Sequence, residues 1–184
     1  MSCEVLLIIY KLLLLLLFFL RFNSIYMNNE NTVLISELEK LLRGGGAHVS
    51  LDDAIDNLSE NLLAERPNNL PYSIWQLIEH IRIAQWDMLD FCRNTNYQSI
   101  SWPDDYWPKE VAPENLEAYK ESVRSINADL EEFIQLLHTG DLYTPIPHGD
   151  GQTLLREALQ IADHNAYHIA EIVVIRRLLN AWNS

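Results

Sequence analysis

Apolar residues recur along this chain at helical spacing far more than in alternation. From Thr32 onward, Leu34, Leu38, Leu41 and Leu42 form one stripe, and Val49, Leu51, Ile55 and Leu58 continue it. This is the i, i+3, i+4 rhythm of an amphipathic helix. Gly44-Gly45-Gly46 interrupts the stripe. Each glycine is about 1 kcal/mol less favourable than alanine inside a helix, so the run either permits close packing or breaks the helix. The segment AERPNNLPYS has the prolines and asparagines of a loop. Ser73, followed three residues later by Gln76, then has the spacing of a capping box and opens a second helix, with a stripe of Leu77, Ile81, Ala84, Met88 and Phe91.

NTNYQSISWPDDYWPKEVAP is rich in aromatics and punctuated by proline, which predicts an ordered loop packed against the helices. Trp102, Tyr106 and Trp107 in it could wall a pocket or cap an end of the fold. Pro113 suits the first turn of a third helix, which reaches about His138 with Gly140 as its terminator. DLYTPIPHGDGQT connects to a last helix running from Thr153 to about Trp182, with Ala158, Ile161, His168, Ile172, Ile175 and Leu179 along one side. Helices without a strand-like run predict an all-α, four-helix bundle.

The N-terminal EVLLIIYKLLLLLLFFLRF stands apart. Its apolar span from Val5 to Leu20 is broken by Lys11 and falls short of the roughly 20 residues that cross a bilayer squarely. As a signal peptide it has an apolar stretch from Leu12 to Leu20, but Glu4 stands where basic residues belong and no small-residue cleavage site follows. Met27 reads best as the initiator, because MNNENTVLISELEKLL begins as a soluble domain does. Residues 1–26 are therefore expected to be a hydrophobic extension and 27–184 the bundle domain. The expected compartment is the cytoplasm, with membrane association or export only if 1–26 is retained as an anchor or signal.

Composition narrows the function classes. A net charge of −13 repels polyanions, which argues against a nucleic-acid partner. Cys3 and Cys92 form no metal-binding spacing, and Cys92 falls on an apolar helix face as a small core residue.

The chemistry lies in the histidines. His164 and His168 in DHNAYH stand one helical turn apart, so both rings can reach one ion from a single rigid element. His80 lies mid-stripe on the second helix, facing the same core. A buried polar group without a partner costs roughly 1–3 kcal/mol, and converging imidazoles multiply that cost unless something uses their lone pairs. A divalent cation does so, and imidazole suits Zn, Ni, Fe or Cu. Three histidines leave positions open for water or substrate, as in catalytic sites. Asp163 and Glu171 could orient the rings by accepting their N–H groups or assist as a base; each could equally be a solvated helix carboxylate. Histidines satisfied one by one inside an inert bundle are the alternative. His48, His138 and His148 fall on a helix face, at a helix C-terminus and in a loop, outside this set.

YSIWQLIEHIRIAQWDMLDF, together with HGDGQTLLREALQIADHNAYHIAEIVVIRRLLNAW, resembles the DinB family, also described as DinB/YfiT-like metalloenzymes, over about Met27 to Trp182. The resemblance implies an up-down-down-up bundle, with one metal-binding histidine on the second helix and two on the fourth, which fall on His80, His164 and His168. Where many relatives carry Gly-Gln after the last histidine, this chain has Ala170-Glu171, which adds a carboxylate. Characterised relatives include transferases and an isomerase that depend on low-molecular-weight thiols, and dimers are frequent among them. The implied cofactors are a divalent ion (Zn, Ni or Fe) and such a thiol, and the implied partners are a small-molecule substrate and a second copy of the chain. The expected activity is metal-dependent thiol transfer to an electrophilic small molecule. The alternatives are metal-dependent hydrolysis and a non-enzymatic, metal-binding, stress-associated bundle.

Overall fold

The computed structural model describes residues 3–182, with the side chains of 1–9, 12 and 19–30 left outside the description. The readings that concern Cys3 and Met27 therefore lie outside the described residues. The chain divides into two units, Met1–Glu37 and Leu38–Ser184. Within the first, Tyr10, Leu13 to Leu17 and Phe18 are exposed along helix α1 (Cys3–Arg43). Among the described residues, no helix is long and apolar enough to cross a membrane.

The glycine run is a break. Helix α1 stops at Arg43, and Gly44 and Gly45 take φ of +70° and +80°, a left-handed conformation that residues with a Cβ rarely adopt. After it, Ser50 and Asp53 form a capping box on the short α2 (Leu51–Ile55). Single turns of 3-10 helix at Glu60–Leu62 and Pro67–Asn69 carry the chain to α3 (Ile74–Arg93). The Ser73 box is present as its spacing requires: Oγ accepts from the Gln76 amide and Oε1 of Gln76 accepts from the Ser73 amide, each at 3.2 Å.

Helix α4 (Leu116–Thr139) starts later than the Pro113 assignment, because Asn115 is the N-cap and accepts from the Ala118 amide at 2.9 Å. Gly140 ends it without a left-handed turn. A Cβ there would stand 2.9 Å from the Leu136 carbonyl oxygen and 2.5 Å from Leu154 Cδ1, so glycine is required by close approach. Helix α5 (Leu154–Leu178) is capped by Thr153 and ends short of Trp182. Asn180 turns the chain at φ +53°, Arg176 donates to the Ala181 carbonyl at 3.0 Å, and its guanidinium lies over the Trp182 ring.

Cross-helix pairs fix the directions. Gln85 meets Ile126 and Arg93 meets Glu132, ascending together, so α3 and α4 run parallel. His80 lies against His168 and Gln85 against Asn165, in descending order, so α5 is antiparallel to α3. Glu39 pairs with His138 and Arg43 with Glu131, so the last turns of α1 oppose α4. The result is an all-helical bundle with up-down-down-up connection, and no strand occurs among the described residues. Its core is built from Ile74, Ile78, Ile81, Ile126, Ile169 and Ile172 with their neighbours.

Parallel neighbours impose a long return. At 1.5 Å per residue, a helix the length of α3 spans about 30 Å, and the chain must retrace it before α4 can start. The aromatic loop does this by running back along one polar stripe of α3. Tyr97 and Tyr106 reach Asp87, the Pro108 carbonyl accepts from Gln76 at 3.0 Å, and the Val111 carbonyl accepts from Ser73 at 2.7 Å. The loop therefore flanks the bundle; it does not cap an end.

Candidate metal centre

The loop path delivers its aromatics to the histidines. Trp107 stacks on the His80 ring at 3.8 Å with 6° between the planes, and Tyr72 stacks on the other face of Trp107 at 3.7 Å. His80 is only 1% exposed. From α5, the rings of His164 and His168 approach that of His80 with centroids 4.8 and 4.6 Å away. One ligand atom from each of the three can be chosen so that all lie within 4.8 Å of one another. Among the described residues this is the group of histidines or acids that could hold an ion.

The second nitrogen of each ring decides what the first can do. Nδ1 of His80 lies 2.8 Å from the Tyr106 carbonyl oxygen, which can only accept, so Nδ1 carries the proton. Nδ1 of His168 donates to the Glu171 carboxylate at 2.7 Å, and Nδ1 of His164 faces Oδ1 of Asn165 at 3.4 Å. With Nδ1–H committed in His80 and His168, those two neutral imidazoles each present an unprotonated Nε2. Nε2 of His80 and Nε2 of His164 are 3.0 Å apart.

Electrostatics keeps the rings neutral. Burial, with the neighbouring rings adding to it, pushes His80 and His168 down to about 4, and burial lowers His164 as well. A proton on Nε2 of His164 bridges its 3.0 Å contact with Nε2 of His80 in the ion-free protein, and a shared cation would take that proton's place. At metal–nitrogen distances of about 2.0–2.1 Å, donors of one ion lie within roughly 4 Å of one another, so small ring rotations suffice. The donor set fits a divalent ion.

Glu171, expected as an orienting or base residue, lies 2.7 Å from Nδ1 of His168, half-buried beside the cavity with its carboxyl raised by burial. Asp163, one position before His164, is exposed and acts on that ring through charge, while Asn165 supplies the oxygen that faces it. His48, His138 and His148 bond elsewhere, to the Val49 carbonyl, Glu39 and the Phe91 carbonyl. A cavity of about 1010 Å³ opens over the histidines, walled by Trp102, Tyr106, Trp107 and Tyr167 and bordered by Glu171. Trp102 is 70% exposed at its rim.

Several partners of the site had no sequence signal. The Tyr106 carbonyl is backbone, and its approach to His80 depends on the loop path.

A family model described as the DinB superfamily matches residues 47–172, a span that contains His80, His164 and His168. No curated protein and no solved structure matches the chain. Because the family match covers more than half of the sequence and all three of these histidines, this chain belongs to the DinB superfamily.

Proposed function

We propose that His80, His164 and His168 together hold one divalent metal ion, Zn, Ni or Fe, at the base of the aromatic cavity, and that the centre is enzymatic. The observation that carries this is the convergence of three ring nitrogens within 4.8 Å of one another, with Nδ1 of His80 and of His168 already held by oxygens. When bound, such an ion acts as a Lewis acid that lowers the pKa of a thiol or a water.

The reaction we favour is transfer of a low-molecular-weight thiol to an electrophilic small molecule. The thiol loses its proton, its sulfur forms a bond to an electrophilic carbon, and the group displaced from that carbon departs with the bonding pair. The protein's own part is positional. Tyr106 and Glu171 hold the Nδ1 protons of His80 and His168, so both rings keep their orientation through the reaction. Trp107 and Tyr106 exclude water from one side of the cavity and offer apolar surface to the substrate. A net charge of −13 favours neutral or cationic electrophiles over polyanions.

A second reading rests on Glu171. Its carboxyl is raised by burial and borders the cavity, which suits a general base for hydrolysis. We assign either chemistry to a domain of residues 27–184 acting in the cytoplasm.

Elemental analysis of protein purified without an affinity tag tests the centre. About one equivalent of a transition metal is expected in the wild type, and a large loss in His80→Ala and in His168→Ala. Metal content that is unchanged in both variants would remove the centre. Assays of electrophile consumption with and without added thiol then separate the reactions, because turnover without any thiol sinks the transferase reading.

A further inference from the structure

The polar stripe of α3 contains one group that the metal reading does not use. Asp87 is 6% exposed, and among the described residues its carboxylate is satisfied by two tyrosine hydroxyls and by no cation. Oδ1 accepts from Tyr97 at 2.8 Å and Oδ2 from Tyr106 at 2.5 Å. Packing does not explain it, since an apolar side chain would fill the same space without the desolvation of a charge.

Tyr106 is gripped at both ends. Its hydroxyl sits on Asp87, and its carbonyl accepts the Nδ1 proton of His80. The two α3 residues are seven positions apart, two turns along one face. One loop residue therefore lies along the helix and is held at two points, and the first point sets the position of the second. Trp107, the next residue, lies flat on the His80 ring and closes the remaining freedom of the imidazole.

We propose that Asp87 is a positioning residue of the histidine centre: by holding the Tyr106 hydroxyl it keeps the Tyr106 carbonyl on Nδ1 of His80, so that Nε2 presents a lone pair toward His164 and His168. The inference rests on the metal reading for its purpose, but the hydrogen-bond linkage can be measured without any ion. Loss of the anchor frees the loop carbonyl, and His80 then redistributes its proton between the two nitrogens.

Long-range proton–nitrogen NMR correlation of the histidine rings in ion-free protein, at a pH above the histidine range, reads the tautomer directly. Zinc affinity by chelator competition reads the consequence. Wild type is expected to show His80 protonated at Nδ1. Tyr106→Phe, which removes one hydroxyl and leaves the backbone, is expected to give a tautomer mixture and roughly tenfold weaker zinc binding, in the range seen when a partner of a ligand is lost. Asp87→Asn shifts both in the same direction. Tyr97→Phe, which removes the other hydroxyl, leaves the His80 tautomer as in wild type.

Retention of Nδ1–H and of wild-type zinc affinity in Tyr106→Phe would overturn the inference even if the variant melts earlier, since that is the behaviour of a purely structural contact. An equal effect of Tyr97→Phe would overturn it too. If Asp87→Asn does not fold, Tyr106→Phe decides alone. Wild-type protein that binds no zinc would remove the metal reading, and the ion-free spectra would still decide the linkage.

Discussion

Asn165 donates its side-chain amide to Oε1 of Gln85 at 2.8 Å across the interface of α5 and α3. Gln85 in turn donates to the Ile126 carbonyl on α4 at 2.7 Å. Helices α3, α4 and α5 are thus joined by side-chain amide hydrogen bonds in the bundle interior, one residue from His164. Buried polar atoms left unpaired cost about 1–3 kcal/mol each. Gln85→Leu should therefore destabilise by that order, and adding Asn165→Leu should cost less than the two single changes summed. Urea unfolding of the singles and the double measures the coupling. Additive losses would show that the two amides do not act as a pair.

Acid stability of the ion-free protein should depend on the depressed rings. His80 and His168 are held down to about 4 in the fold, against an ordinary value of 6.5. Between those values the unfolded chain binds more protons, so their contribution is complete above 6.5 and lost as pH falls toward 4. The carboxyls of buried Glu157 and half-buried Glu171, raised by desolvation, act with the opposite sign. Comparing wild type with His168→Asn isolates the histidine part: the variant's thermal midpoint should fall less steeply across that window. Equal slopes would contradict the neutral-ring assignment.

Ions that bind the folded centre should stabilise it by mass action. At about 100 times Kd the gain is about 2.7 kcal/mol, visible as a higher thermal midpoint with zinc or nickel that a chelator reverses. In His164→Ala the increment should vanish, because the ring that faces Nε2 of His80 is gone.

Cys92 should behave as a core residue. Burial pushes its thiol up to about 12, so little thiolate exists at neutral pH. Alkylation by iodoacetamide should be slow in the folded protein and rapid in denaturant. Fast labelling under native conditions would mean that the end of α3 opens readily.

Much of this molecule was legible along the chain because helix formation is local. The Ser73–Gln76 box, the apolar stripes and the DHNAYH spacing depend on contacts three or four residues apart, and the helices they mark lie within a few residues of the expected limits. The glycine run was ambiguous in the sequence, since its role turns on φ. Pro113 misled because the side chain of Asn115 competes better for the free amides of α4.

Residue order alone settled that His164 and His168 share one face of one helix, and that His80 lies on another helix turned inward. Their meeting, and the identity of the oxygens behind them, came from packing. Parallel α3 and α4 force the intervening loop back along α3, and that path brings a backbone carbonyl to His80, a tyrosine hydroxyl to Asp87 and an indole face to the imidazole. Asp163 lost its expected place for the same kind of reason: on a helix, adjacent positions are 100° apart, and the register of α5 against α3 turned Asn165 inward and Asp163 to solvent. Periodicity reports which face a residue occupies, whereas long-range register, set by how whole surfaces pack, selects its partners.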